Sequence, residues 1–127
     1  MTKTMETKRN SKEFTIVDSS NLALANSELR RLWNDLESAK SALSRVTNGS
    51  KEYVEAEKRV QYLASRCNEL EIGRLELIKK QHSWFAKQET DEDKKKYHES
   101  ELRKARRALK RLRDLIKEQE ELNSTNN

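Results

Sequence analysis

From Leu22 onward the apolar side chains alternate spacings of three and four: Leu22, Ala25, Leu29, Leu32, Leu36, Ala39, Leu43 and Val46. That alternation is the a/d seam of a heptad repeat, which keeps one apolar stripe turned toward a partner helix. It predicts a first helix over about 22–46, with Asp18, Ser19, Ser20 and Asn21 as N-cap candidates just ahead of it. Trp33 sits beside the seam and widens the stripe, which suggests contact with more than one neighbour. Residues 1–18 are polar and mixed in charge, the composition of a flexible N-terminal arm in which only Phe14, Ile16 and Val17 offer something to dock.

Thr47-Asn48-Gly49-Ser50 ends the first pattern. Glycine tolerates the left-handed backbone that closes a helix, and Ser50 can cap the next one. A connection this short predicts an antiparallel hairpin. The second seam, in a helix over about 51–88, runs through Tyr53, Ala56, Val60, Leu63, Cys67, Leu70, Leu77 and Trp84, with Arg74 and Gln81 at core-type positions. Beside it Leu75, Ile78 and Phe85 form a second stripe, so the distal half of this helix is expected to touch two neighbours or to shift phase. Gly73 falls where the pattern changes and marks a candidate kink or close helix crossing.

Residues 86–96 hold no large apolar side chain, and Thr90, Asp91, Glu92 and Asp93 read as a helix start whose acids favour the positive end of the helix dipole. A break is therefore predicted, with a third helix over about 91–122. The competing reading is one unbroken helix over 51–122, since no Gly or Pro interrupts this stretch. Leu102, Ala105, Leu109, Leu112 and Ile116 form the third seam, flanked by Ala108 and Leu115, and residues 123–127 are expected to fray.

The predicted fold class is all-α: an antiparallel coiled-coil helical hairpin with a third, basic amphipathic helix, arranged as a three-helix bundle or an elongated coiled coil. One helical domain over 19–122 is expected. Composition supports this, because 39% of the 127 residues are charged, only 33% are hydrophobic, and there is no proline. So few apolar side chains argue against a deep enzyme-like pocket. No glycine-rich phosphate loop, nucleophile elbow, zinc-protease helix or calcium loop occurs, and the chain reads as a non-enzyme with no cofactor and no small-molecule substrate.

His82 and His98 read as isolated surface or boundary residues, and Cys67, at a seam position, as a small core hydrophobe. A single cysteine excludes an intramolecular disulfide and fits a reducing compartment. No apolar run reaches the roughly 20 residues that cross a bilayer. With no apolar signal-peptide core either, the expected location is cytoplasmic.

Charge is where the chain becomes distinctive. Its net charge is +5, yet residues 94–113 alone carry ten basic and two acidic side chains. Within them Arg103, Lys104, Arg106, Arg107, Lys110, Arg111 and Arg113 occupy no a or d position in the register set by Leu102. One helix can thus bury leucines while presenting a cationic outer face. Like charges at i, i+3 and i+4 each cost a few tenths of a kcal/mol, and an anionic partner would relieve that.

An acidic protein surface, a phosphate backbone and an anionic membrane are the candidates, and a merely solvating face is the bland alternative. Membrane binding is disfavoured because it would expose the leucines needed inside the bundle. Leu77, Trp84 and Phe85 are the candidate interface anchors, with packing against the third helix as the alternative. Apolar surface around Leu75, Leu77, Ile78, Trp84 and Phe85 is expected to be uncovered, because the predicted helices differ in length. The expected function is assembly, scaffolding or an adaptor role with self-association or a protein partner, and nucleic-acid binding through the basic helix is the alternative.

Overall fold

The computed structural model describes residues 12–126 and contains three helices: α1 (Ile16–Ser44), α2 (Lys51–Gln88) and α3 (Glu92–Asn126). There is no strand among the described residues. The chain is all-α, as its heptads predict.

The first helix begins well before Leu22, and its cap is none of the four residues expected. Thr15 is the N-cap: its Oγ1 accepts from the Asp18 amide at 3.1 Å, and the Asp18 carboxylate accepts from the Thr15 amide at 3.0 Å. This reciprocal capping box satisfies two orphan amides, so the helix can start ahead of the apolar seam. Residues 16–18, expected in a flexible arm, are helical; the part of that arm over 1–11 lies outside the described residues.

Helix α1 ends at Ser44, two residues before the expected Val46. The turn that follows contains Gly49 at φ 85°, in the left-handed region that favours glycine. Ser50 then caps α2 by accepting from the Tyr53 amide at 3.1 Å.

The break after α2 is real. Glu89 adopts an extended backbone, and the Asp91 carboxylate accepts from the amides of Asp93 and Lys94 at 2.9 and 3.1 Å. Its side chain bends back to cap α3, which offsets the helical hydrogen bonds that an unbroken 51–122 helix would keep. At the other end α3 runs to Asn126, past the expected 122, and of the residues expected to fray Asn127 lies outside the described ones.

At about 1.5 Å per residue the helices are roughly 43, 57 and 52 Å long. α1 and α3 each pack antiparallel on α2 and make no close backbone approach to each other among the described residues. The core is therefore two helix-pair seams sharing a central helix. Leu29, Ala39, Leu63, Cys67, Leu75, Ala86, Ala105 and Leu109 are its buried side chains, and among the described residues no polar or charged one is buried with them.

Because both α1 and α3 pack on α2, the surface expected to be bare on its distal half is largely covered. Leu75 is buried and Leu77, Ile78 and Trp84 are half-buried. Of that patch only Phe85 is exposed, and further exposed apolar side chains lie elsewhere. Ile16, Val17, Leu24 and Trp33 on α1 face solvent, Trp33 at 56% exposure, so this tryptophan does not bridge two neighbours as its place beside the seam suggested. Gly73 marks no close crossing either, since a Cβ there would meet nothing within 4 Å.

Candidate functional site

Burial of Ala105 and Leu109 fixes the rotation of α3, with Leu102, Ala108, Leu112 and Ile116 half-buried beside them. All seven candidate cations are consequently exposed. Helical periodicity sorts them into three rows. Arg103, Arg107 and Lys110 lie on the outer side. Arg106 and Arg113 lie on one flank, Lys104 and Arg111 on the other.

Three of the seven are ion-paired. Lys104 reaches Glu101 at 3.3 Å, Lys110 reaches Asp114 at 2.9 Å, and Arg113 reaches Glu76 of α2 at 2.6 Å. The Asp114 carboxylate, hydrogen-bonded to the Lys110 ammonium, holds that lysine's pKa above its ordinary value. Arg103, Arg106, Arg107 and Arg111 have no acidic partner among the described residues.

Arg111 borders an apolar groove between α2 and α3 with a volume of about 610 Å³. Leu75, Ala108, Leu112 and Leu115 line it, and Leu115 is 47% exposed. Glu71, Asp114 and Glu118 line it together with Arg111. This is a mixed surface, apolar and charged side chains sharing one groove.

Of the candidate anchors, Leu77 and Trp84 are half-buried within the helix assembly, while Phe85 is 40% exposed. Phe85 is nevertheless engaged. Its ring lies 6.1 Å from Phe14, ahead of α1, and 5.8 Å from His98 of α3. Phe85 thus ties the start of α1 to the start of α3 through aromatic contact.

The two histidines are not isolated. Their Nδ1 atoms lie 2.8 Å apart across the α2–α3 turn, so one ring donates its Nδ1 proton and the other accepts. Tyr97 packs against both, with ring centroids 5.9 Å from His82 and 5.3 Å from His98. Burial and the neighbouring His98 push the His82 pKa down, opposed by Glu101. A signal for this pair existed in the sequence: His82 and His98 are equidistant from residue 90, so folding a hairpin about the predicted break brings them opposite each other.

Cys67 is buried as its seam position predicts, and burial raises its thiol pKa, which disfavours the reactive thiolate. Among the described residues no three His, Cys, Asp or Glu side chains converge in a way that could hold a metal ion. Among the described residues no helix is long and apolar enough to cross a membrane.

Comparison of the chain with protein-family models, with curated proteins and with solved structures finds no match. The functional reading therefore rests on these side chains alone.

Proposed function

We propose that this chain is a non-enzymatic helical adaptor or assembly protein whose α3 docks on an acidic macromolecular surface. One observation carries the reading: Arg103, Arg106, Arg107 and Arg111 are exposed and unpaired on a helix whose apolar side is already committed to α2. Their mutual repulsion raises the energy of the free protein, and an anionic partner lowers it.

The apolar groove beside Arg111 favours a protein as that partner, because a helix could lay leucines along Leu75, Leu112 and Leu115 and meet the mixed charges of Arg111, Glu71, Asp114 and Glu118 with its own polar side. Self-association belongs to the same reading, supported by the exposed Leu24 and Trp33 of α1. So does a cytoplasmic location, which the lone unpaired cysteine fits.

Nucleic-acid binding is the second reading. It is favoured by the run from Arg103 to Arg113, which holds seven cations and no acid and so suits a uniform phosphate backbone.

Sedimentation velocity separates the two, using an acidic polypeptide and a random-sequence DNA duplex as probes at low and near-physiological salt. The adaptor reading expects the acidic polypeptide to bind and Arg103→Glu with Arg107→Glu to abolish binding. DNA binding that falls steeply with salt while the acidic polypeptide fails to bind moves the assignment to nucleic acid. Binding to neither probe at low salt overturns both.

A further inference from the structure

A second gathering of positive charge lies off the outer face of α3, in a cleft lined by residues from all three helices and the segment before α1. Lys12 reaches it from the segment before α1, Lys79, Lys80 and Lys87 from α2, and Arg106 from α3. These residues are scattered over most of the chain, and apart from Arg106 none belongs to the basic run over 103–113.

Two carboxylates share the walls, Asp18 and Glu76, and both are already engaged. Asp18 pairs with Lys80 at 2.7 Å and accepts from the Thr15 amide. Glu76 pairs with Arg113 at 2.6 Å and with Lys79 at 3.5 Å. Lys12, Lys87 and Arg106 are left without an acidic partner among the described residues. The cleft lining keeps a net charge of three positive, five cations against two acids.

Its volume is about 470 Å³, within the range of small-ligand sites, roughly 300–1,000 Å³. That is far more room than one orthophosphate needs. The unpaired charges come from three separate elements, so an anion with its charge spread over several groups matches them better than a single carboxylate does. Lysine ammonium groups act as point charges toward phosphoryl oxygens, and Ser83 adds a hydroxyl donor on the same wall.

We propose that this cleft binds a polyphosphoryl anion, either inorganic polyphosphate or the triphosphate of a nucleotide. Bound there, the ligand joins Lys12 to Arg106 across α2 and so links the segment before α1 to α3, whose helices make no close backbone approach of their own. It therefore stabilises the three-helix arrangement by mass action. The proposal stands apart from the outer-face reading, since Lys12 and Lys87 have no part in that face. Arg106 is common to both and is left intact in the test.

The experiment titrates tripolyphosphate into the full chain by isothermal calorimetry at low salt, with thermal unfolding followed in parallel. Saturable binding and a raised Tm are expected. Lys12→Gln with Lys87→Gln should weaken binding about tenfold or more, as loss of charge-assisted contacts does, while Arg103→Gln with Arg107→Gln should change it less than about twofold. Circular dichroism checks that each variant keeps its helical signal, and Lys87→Gln alone is read if the pair does not.

An ATP titration distinguishes the ligand sources: affinity equal to tripolyphosphate identifies the phosphate chain as the recognised group, and tighter binding identifies a nucleotide. Failure of tripolyphosphate and ATP to saturate, or equal weakening by both variant pairs, overturns the proposal. Because the outer-face test reads Arg103 and Arg107 instead, either idea can fail without the other.

Discussion

The Nδ1 atoms of His82 and His98 face each other at 2.8 Å, although the residues are sixteen apart in sequence and sit on different helices. Such a contact needs one ring to offer a proton and the other a lone pair, so it tolerates two neutral rings or one charged ring but not two. Phe85 and Tyr97 pack around it, and Glu101 is the acidic group that favours charge on His82. A proton-sensitive contact thus holds the α2–α3 turn.

The sign of its pH dependence follows. His82 has a folded pKa below its ordinary 6.5, so the unfolded chain binds protons more readily than the folded one. The stability contributed is complete above about pH 6.5 and is lost as pH falls through the lowered pKa. Urea midpoints at pH 8 and pH 5 should differ in that direction, and His82→Gln should reduce the difference. An unchanged pH dependence in that variant would show that the pair contributes nothing to it.

Asp18 has two tasks, completing the capping box with Thr15 and pairing with Lys80 at 2.7 Å. The hydrogen bond from Lys80, followed by that from the Thr15 amide, holds its pKa below the ordinary 3.8. Its contribution is present above that value and is lost as pH falls through the lowered pKa. Asp18→Ala should cost about 1–2 kcal/mol in urea unfolding at pH 7, and Thr15→Ala about 1 kcal/mol. A loss confined to Asp18→Ala, with Thr15→Ala neutral, would assign the effect to Lys80 rather than to the cap.

Gly73 lies inside α2 with open space where a Cβ would project. Its substitution therefore removes backbone freedom from the unfolded chain without a clash in the folded one. Gly73→Ala should stabilise the protein by up to about 1 kcal/mol. A destabilised variant would mean that something packs on this face of α2.

Leu109 and Leu115 share α3 but not its environment, at 2% and 47% exposure. Leu109→Ala should cost about 2–5 kcal/mol, as buried leucines do, whereas Leu115→Ala should cost less than about 1 kcal/mol in the isolated protein. If Leu115 lines a docking groove, its substitution should instead weaken partner binding. Equal destabilisation by the two would contradict the rotation assigned to α3.

Much of this architecture is written locally. The three- and four-residue spacing from Leu22 to Val46, the glycine turn at Gly49 and the cap at Ser50 each act within a few residues, so helix content and hairpin connectivity are legible without a structure. The cationic side of α3 is legible for the same reason, because helical periodicity alone separates Arg103 and Arg107 from Leu102 and Leu109. The early start of α1 was local too, but its signal was the Thr15–Asp18 capping box rather than an apolar position.

What the tertiary structure alone decided is how the helices sit against one another. A heptad seam states that a helix needs a partner and not which partner, nor how far along it the contact extends. Only packing shows that α1 and α3 both choose α2, that Leu77 and Trp84 become half-buried while Trp33 stays bare, and that Lys12, Lys87 and Arg106 line one cleft. The His82–His98 contact is divided between the two: its place opposite the break is legible, but its 2.8 Å separation depends on the rotation of two helices about their own axes. Periodicity fixes which side chains share a face; long-range contact fixes what that face meets.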